Sequence, residues 1–333
     1  MWVALVIRVL LRVIYLGTIL AAVTSVVAAP LRVHPENPRF FSDAGGKVVY
    51  LTGAHTWTSL VDRSDHPAFD FPAYLEYLRH YNHNFTRMWT WEHAVVPLSG
   101  KRTVHFLPIP YMRTGPGNAL DGKPKFDLTQ FDGEYFQRLR SRVVAAKEKG
   151  IYVSVMLFEG WSAIGWDREA SNNADFTAWS GHPFNRNNNI QAIDGDTNGD
   201  GVGIEFHTLN NKAVTERQEA YVRKVIETLN DLDNVLYEIC NESHLGSKDW
   251  QYHFIRFVHS QEAGLAKQHP VGMTATIDQD KKSITAYGRF ADLLNSPADW
   301  ISPTNSDGDW KNDPPPARAF NSCHFCLKSL SFL

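Results

Sequence analysis

The most restrictive feature of this sequence is a regular alternation of short apolar segments and amphipathic segments that begins near residue 48. The apolar segments are rich in β-branched and aromatic residues, which is typical of strands. Six strands are predicted, in KVVYLTGAH, NFTRMWTW, IYVSVMLFEGW, NVLYEICNE, PVGMTATI and ADWISPTN. Strands that are apolar on both faces and alternate with helices indicate βα units around a parallel sheet.

Helical spacing of apolar residues is found in five segments. In FDFPAYLEYLRHYN, the residues Phe71, Tyr74, Leu75, Leu78 and Tyr81 recur at helical spacing. The others are EYFQRLRSRVVAAKEKG, KAVTERQEAYVRKVIETLND, KDWQYHFIRFVHSQEAGLAKQH and the shorter SITAYGRFADLLN. Long loops are predicted after the second strand and after the third.

Two α/β architectures fit this alternation: a doubly wound open sheet and a closed (β/α)8 TIM barrel. The open sheet usually carries a glycine-rich phosphate loop after its first strand. Here the first strand ends in TGAHTW, without such a loop. The strands end in polar and aromatic residues, which a barrel would bring together at its C-terminal face. We therefore predict one barrel domain, with about six βα units present.

The N-terminal residues 1–29 have the layout of a secretory signal peptide. The basic residues Arg8 and Arg12 lie near the start of the apolar run IYLGTILAAVTSVVAA, and this run ends in small residues. A retained membrane anchor is the alternative. We expect a secreted, extracellular protein with no stable membrane insertion after signal removal; the periplasm and an anchored form are the other locations considered.

The barrel domain is predicted to span residues 30–315, followed by an atypical tail at 316–333. The composition changes after Asp313 to PPPARAFNSCHFCLKSLSFL, in which no further βα unit is predicted. Either a smaller domain carries an unusual tail, or the chain is truncated or frame-shifted. Only three Cys are present, so a packed core and not a disulfide framework is expected to stabilise the fold.

Ionisable, amide and aromatic side chains follow several of the predicted strands. If they meet on one barrel face they form a pocket with a carboxylate at its centre; otherwise they are ordinary polar strand ends. A net charge of −3 gives no basic surface for nucleic acid, whereas ten Trp offer flat rings that stack on sugars. The candidate site residues are His55, Arg87, Trp91, Glu159, Trp161, Asn241 and Glu242.

The fourth strand ending in Asn241-Glu242, with Arg87 in FTRMW, resembles glycoside hydrolase clan A, whose (β/α)8 barrels include the family 5 cellulases. The segment LRVHPENPRFFSDAGGKVVYLTGAHTW resembles the start of a cellulase-like or apiosidase-like branch, and the resemblance runs from about residue 31 to about 315. It implies that Glu242 is the general acid/base, that Asn241 binds the sugar 2-hydroxyl and that Arg87 braces the catalytic carboxylates.

The resemblance also implies a nucleophilic Glu at the end of a seventh strand, which the six predicted strands do not supply. Glu92 and Glu159 are the alternatives for the partner carboxylate, which a retaining enzyme places about 5–5.5 Å from the acid/base. The first hypothesis is a secreted, retaining glycoside hydrolase that acts on a polysaccharide or oligosaccharide and needs no cofactor for catalysis. The alternative is a catalytically incomplete barrel that binds carbohydrate.

A further motif fits the calcium-loop pattern D-x-[DN]-x-[DN]-G-x5-E. Its flanks do not resemble an EF-hand, so the prediction is a stand-alone structural Ca2+ site in the long loop after the third strand. An acidic, glycine-rich turn without metal is the alternative, and a calcium-dependent adhesion module is a third function that this loop favours. The predicted ligands are Asp194, Asp196, Asn198, Asp200 and Glu205.

Overall fold

The computed structural model describes residues 29–98, 102–164, 177–279, 284–303 and 319–320. At its centre lies a seven-stranded sheet whose strands are hydrogen-bonded in chain order, every neighbouring pair parallel. This curled sheet, alternating with helices, is a partial (β/α)8 barrel. Its strands are β1 Gly53–His55, β2 Phe85–Met88, β3 Tyr152–Glu159, β4 Val235–Asn241, β5 Val271–Thr274, β6 Trp300–Ser302 and β7 Ala319–Phe320.

The helices follow the predicted amphipathic segments, and several begin at a side chain that caps them. Asp70 accepts a hydrogen bond from the Ala73 amide at 2.9 Å, and Asn211 accepts one from the Ala213 amide at 3.1 Å. Such caps satisfy amide groups that have no partner within the helix. The helices are α1 Phe71–His80, α2 Gly133–Glu148, α3 Trp161–Ile164, α4 Lys212–Leu229, α5 Lys248–Glu262 and α6 Phe290–Leu294.

The core between the sheet and the helices is aromatic around β3. The ring of Phe158 lies 5.0 Å from that of Trp250, 5.2 Å from Phe254 and 5.7 Å from Tyr221, measured between centroids. Successive side chains of a strand point to opposite faces. Because Phe158 packs outward against α4 and α5, the next residue, Glu159, faces the barrel interior.

The first predicted strand, KVVYLTGAH, is divided between two sheets. Val48–Val49 pairs with Phe41–Ser42, which pairs with Arg32–Val33, in a small antiparallel sheet, and only Gly53–His55 enters the barrel. Tyr50, in the segment between them, is 67% exposed, so the apolar run is not one continuous buried strand. A separate buried cluster joins this sheet to the starts of the barrel strands, through Leu31, Phe41, Phe85, Leu236 and Trp300.

The predicted loop after the second strand is wrong in part, because it contains two β-hairpins. Val95–Leu98 pairs with Arg102–Leu107, and Tyr111–Asn118 pairs with Pro124–Phe131. Asp62–Arg63 joins the first hairpin as a third strand. These strands belong to no βα unit, so the alternation that predicts the barrel does not reveal them.

The predicted helix SITAYGRFADLLN is also shorter than expected. Ile284–Tyr287 is a strand that pairs antiparallel with Ile277–Gln279, and only Phe290–Leu294 is helical. The β-branched residues Ile284 and Thr285 favour extended backbone, which outweighs the weak helical spacing here.

The six predicted barrel strands are confirmed, and β7 adds a short seventh that lies within the predicted tail. Ala319 and Phe320 pair with Trp300 and Ile301 of β6. The rest of that tail, with Cys323 and Cys326, lies outside the described residues, as do residues 1–28 of the predicted signal peptide. Within the described part of the chain, no helix has the length and apolar character needed to cross a membrane.

Candidate active site

A cleft of about 380 Å3 opens at the carboxyl ends of the barrel strands. This volume falls in the usual range for pockets that bind small molecules. Its walls combine three barrel strand ends with the loops that follow them. The lining residues are Trp57, Arg63, Arg87, Trp89, Trp91, Val96, Phe106, Glu159, Trp161, Asn241 and Glu242.

Six of the seven predicted site residues therefore lie together, and His55 is the exception. His55 lies beside Arg87 in the β1–β2 register, and its ring stacks on Trp89 with centroids 5.1 Å apart and planes 16° apart. The structure thus places it against an aromatic wall of the cleft, while Trp89 itself lines the cleft.

Arg87, which lines the cleft, forms a buried ion pair with Glu238. Arg87 Nε donates to Glu238 Oε2 at 2.9 Å, and Nη2 donates to Glu238 Oε1. The side chains of Arg87 and Glu238 are 4% and 0% exposed. A buried charge this far from water needs a partner that supplies both attraction and hydrogen bonds. The sequence implied that Arg87 braces the catalytic carboxylates; the structure places it on Glu238 and Asn241.

Glu238 is a site residue that the sequence analysis missed. It stands in the middle of the apolar run VLYEIC, where a carboxylate is rarely buried unless it is paired. That mismatch is the signal that could have revealed it, although the sequence does not say which cation pairs with it.

The amide of Asn241 is held from both ends. Its Oδ1 accepts a hydrogen bond from Arg87 Nη2 at 3.0 Å, and its Nδ2 donates to Glu159 Oε1 at 3.2 Å. An arginine can only donate, so the oxygen of the amide must face Arg87 and the NH2 group must face Glu159. One N–H of Asn241 is used in this way, and a second N–H remains for another acceptor.

Glu159 lies on the floor of the cleft and is 1% exposed. Its second oxygen, Oε2, accepts a hydrogen bond from the Ser162 amide at 3.1 Å. Burial raises the pKa of Glu159 well above its usual range, and the charge of Glu242 raises it further. Two like charges in a poorly solvated site disfavour ionisation of both.

Glu242 follows β4 directly and has a backbone φ of 50°. This left-handed conformation is uncommon for a residue with a side chain and costs roughly 1–3 kcal/mol. Such a cost persists only where the surrounding structure fixes the backbone, and residues of this kind cluster at active sites.

The glycine after β3 makes the close approach of these two strand ends possible. The Gly160 amide donates to the Asn241 carbonyl at 2.8 Å. A Cβ atom at Gly160 would lie 2.2 Å from the Glu242 carbonyl oxygen. Only a residue without a side chain therefore fits between Glu159 and Glu242.

The upper walls of the cleft are aromatic. Trp91 meets Trp161 edge to face with centroids 5.6 Å apart, and its Nε1 donates to the Trp57 carbonyl at 2.7 Å. The Trp57 side chain is 47% exposed, whereas Trp91 is 7% exposed. Trp57 therefore offers an exposed indole at the rim of the cleft, and Trp91 forms a buried part of its wall.

Three further lining residues come from the first hairpin and from the strand Asp62–Arg63 that joins it. Val96, Phe106 and Arg63 reach the cleft because residues 62–63 pair with residues 106–107. Arg63 forms two hydrogen bonds with Asp65, from Nε at 3.1 Å and from Nη2 at 2.9 Å. No local motif marks these residues, since their position depends on pairing between distant segments.

Glu92, the other predicted partner carboxylate, lies beside a separate small cavity of about 20 Å3. Its Oε2 accepts from the Glu159 amide at 2.7 Å and lies 3.1 Å from His207 Nε2. Burial raises the pKa of Glu92 well above its usual range and lowers the pKa of His207 to about 3. Burial thus disfavours the charged form of both groups, and Glu92 supports the backbone of Glu159 by accepting a hydrogen bond from its amide.

The predicted calcium loop folds on itself through hydrogen bonds. Asp196 accepts from the amides of Gly199 at 2.7 Å and Gly201 at 2.8 Å, and Asn198 Nδ2 donates to Glu205 Oε1 at 2.7 Å. In the described ranges, no group of three or more His, Cys, Asp or Glu side chains is arranged to hold a metal ion. The residues are close in space and several of their oxygens accept hydrogen bonds within the loop, so calcium binding stays a prediction from the pattern.

The contact at Gly160 predicts that Gly160→Ala disturbs the site. The added methyl group meets backbone atoms that have no room to move, so we expect a loss of roughly 1–3 kcal/mol in the free energy of unfolding. Chemical denaturation measures this change. Gly133→Ala is the matched control, because nothing lies within 4 Å of a Cβ there and alanine favours the helix. Equal stability of Gly160→Ala and the parent protein would contradict the close approach.

Solved structures of glycoside hydrolases are similar to this chain at low sequence identity. A candidate glycoside hydrolase from Bacteroides vulgatus has 15% identity and a TM-score of 0.48, over 84% of this chain and 43% of its own. The endo-1,4-β-mannanase of Rhizomucor miehei has 10% identity and a TM-score of 0.48, over 82% and 71%. Endo-glycoceramidase II from Rhodococcus sp. has 16% identity and a TM-score of 0.46, over 80% and 58%.

The chain thus spans less than half the length of the first of these proteins. No curated protein matches its sequence. A family model described as a domain of unknown function, DUF6298, matches residues 92–291, which is more than half of the chain and includes β3, β4 and six of the eleven residues that line the cleft. The chain belongs to the DUF6298 family.

Proposed function

We propose that this protein is a glycoside hydrolase that cleaves an O-glycosidic bond of an oligosaccharide or polysaccharide, with Glu242 as the general acid/base. One observation carries the proposal: Glu242, in a strained backbone conformation at the end of β4, lines a cleft of about 380 Å3 with four Trp. A carboxyl group beside flat aromatic surfaces suits a sugar that must be both stacked and protonated.

Asn241 supports this chemistry through its fixed orientation. Arg87 and Glu159 hold the amide, so its remaining N–H has a defined direction. We propose that this N–H binds a sugar hydroxyl next to the bond that breaks. A hydrogen bond of this kind strengthens catalysis when it tightens in the transition state.

We propose further that the reaction retains the anomeric configuration, as the resemblance implies. Retention needs a carboxylate nucleophile about 5–5.5 Å from the acid/base. Residues 321–333, which follow β7, contain no Asp or Glu. Among the described residues that line the cleft, Glu159 and Glu242 are the two carboxyl groups. The anomer first released, read by proton NMR, decides between a carboxylate nucleophile and direct attack by water.

Glu242→Gln tests the central assignment. Loss of a general acid typically costs about 100- to 10,000-fold in rate, so we expect a decrease of that order with aryl-glycosides and plant polysaccharides as substrates. The matched control is Glu134→Gln, which removes an exposed carboxylate on α2. Undiminished activity of Glu242→Gln, in a preparation where the parent protein is active, would remove the proposed role.

Binding without hydrolysis is the outcome that separates the two functions considered. If the parent protein cleaves none of these substrates but binds an oligosaccharide, and Trp57→Ala weakens that binding, the cleft is a carbohydrate-binding site. Calorimetric titration with the same oligosaccharides supplies this measurement.

We propose that the protein is secreted after removal of residues 1–29. The proposal rests on the basic residues and apolar run of that segment. N-terminal sequencing of protein from the culture medium of an expressing host is expected to begin at or near Pro30. A mature chain that still starts with Met1 would contradict it.

We propose calcium as a structural ligand of the loop at Asp194–Glu205. The charges of Asp200 and Asp196 help raise the pKa of Glu205, after burial, and a cation would relieve this repulsion. If the dissociation constant is about 0.1–1 mM, 10 mM Ca2+ stabilises the fold by about 1.4–2.7 kcal/mol. We expect a higher Tm in Ca2+ than in EGTA, a difference that Asp196→Asn abolishes and the exposed-site control Asp249→Asn keeps. Equal Tm values would exclude the ligand.

A further inference from the structure

We propose that the small cavity beside Glu92 binds one water molecule that bridges His182 to Glu92, and that His182 acts through this water as a positioning residue for the end of β3. The water site is a property of the protein alone, and only its effect on catalysis rests on the proposed function. Its two main ligands come from different segments, since Glu92 follows β2 and His182 lies between α3 and α4.

The hydrogen bonds of His182 determine where its proton lies. Its Nδ1 accepts a hydrogen bond from the Phe184 amide at 3.1 Å, so this nitrogen carries no proton of its own. A neutral imidazole with an accepting Nδ1 has its proton on Nε2. The same contact excludes the doubly protonated ring, in which both nitrogens donate. His182 therefore presents an Nε2–H donor on the side of the ring away from Phe184.

This donor is buried and has no acceptor among the described residues. The His182 side chain is 1% exposed, and its Nε2 forms no hydrogen bond there. Glu92 Oε1 lies 4.0 Å from Nε2, which is too far for a direct hydrogen bond. A buried donor that is left unsatisfied costs about 1–3 kcal/mol, so native proteins satisfy nearly all of them with protein groups or ordered water.

Aromatic contacts prevent the ring from moving to Glu92. Trp179 stacks on the imidazole of His182 with centroids 4.7 Å apart and planes 28° apart, and Phe206 meets it edge to face at 4.6 Å. A shift of the ring would break these contacts together with the hydrogen bond from Phe184. A bridging molecule, and not a movement of the side chain, is therefore the way to satisfy the donor.

The cavity has the size and the lining that a single water needs. It measures about 20 Å3 and is lined by both His182 and Glu92, whereas one water needs roughly 10–15 Å3. Tyr111 and Tyr221 also line it, and their hydroxyl groups can donate or accept. Water accepts from His182 Nε2 and can donate to Glu92 Oε1 or accept from it, so it fits either protonation state of that carboxyl group. A metal cation cannot accept a hydrogen bond from His182.

Glu92 carries the effect of this water to the candidate active site. Its other oxygen, Oε2, accepts from the Glu159 amide at 2.7 Å and lies 3.1 Å from His207 Nε2. A carboxyl group that is held through both oxygens has a fixed plane, and this fixes the backbone of Glu159. The Glu159 side chain in turn accepts from Asn241 Nδ2 at 3.2 Å. The water thus supports the orientation of the amide to which the proposed function assigns a sugar hydroxyl.

Detection of the water and of the His182 proton tests the site without any substrate. In a high-resolution crystal structure of the parent protein, we expect a density peak within about 2.7–3.2 Å of both His182 Nε2 and Glu92 Oε1. Nitrogen NMR of isotope-labelled histidine reports the tautomer of the ring, and we expect the Nε2–H form. An ordered cavity without such a peak, or an Nδ1–H tautomer of His182, would overturn the proposal.

Two substitutions separate the water contact from the packing of the ring. In His182→Gln the side-chain amide lies near the position of Nε2 and can still donate to the water. In His182→Asn the side-chain oxygen lies near the position of Nδ1, so it can accept from Phe184 but does not reach the water. Because both variants lose the ring, the difference between them reports the bridge.

Activity of these variants tests the positioning role, with any aryl-glycoside that the parent protein hydrolyses. We expect kcat of His182→Asn to fall about tenfold, as for the loss of one hydrogen bond, with KM largely kept. His182→Gln is expected to recover most of this loss. Equal losses in the two variants would show that the ring acts through packing alone, which would overturn the positioning role. If the parent protein hydrolyses no substrate, the proposed function fails, whereas the crystal structure and the NMR spectra still decide whether the water is bound.

Discussion

The buried ion pair between Arg87 and Glu238 is the interaction on which the arrangement of the site depends. It joins β2 to β4 across β3, between residues 151 positions apart in the chain. Removing one partner of such a pair typically costs about 3–5 kcal/mol, because the other charge is left buried and unpaired. The pair therefore fixes how the ends of β2 and β4 lie relative to each other before any substrate binds.

From this pair, hydrogen bonds lead directly to the candidate catalytic groups. Arg87 orients the Asn241 amide, the amide orients Glu159, and the backbone contact at Gly160 presses the end of β3 against Glu242. These residues have few other arrangements open to them, because an arginine can only donate hydrogen bonds and only a glycine fits the contact with Glu242. A buried charge and the positive φ of Glu242 each cost free energy. Because the surrounding contacts hold them in place, the site needs little rearrangement to act.

The sequence was sufficient to predict the barrel and most of the cleft. The alternation of strands and helices is a local pattern, and it places the residues after β2, β3 and β4 at one face. It could not reveal Arg63 or Phe106, because they reach the cleft through a hairpin that belongs to no βα unit. It also could not reveal that Arg87 binds Glu238, since that depends on the relative positions of strands far apart in the chain. The two-residue β7 was missed because so short a segment has no periodicity to read.

The charges around the cleft are compensated in pairs. Two cations are paired with two carboxylates, and the pKa of Glu92 is raised by its burial. Among the described residues that line the cleft, Glu159 and Glu242 are the two carboxyl groups, and burial disfavours the ionised form of Glu159. Burial thus separates the two carboxyl groups: at the end of β3, Glu159 fixes the Asn241 amide through a hydrogen bond, and at the end of β4, Glu242 is the carboxyl group that the proposed function needs.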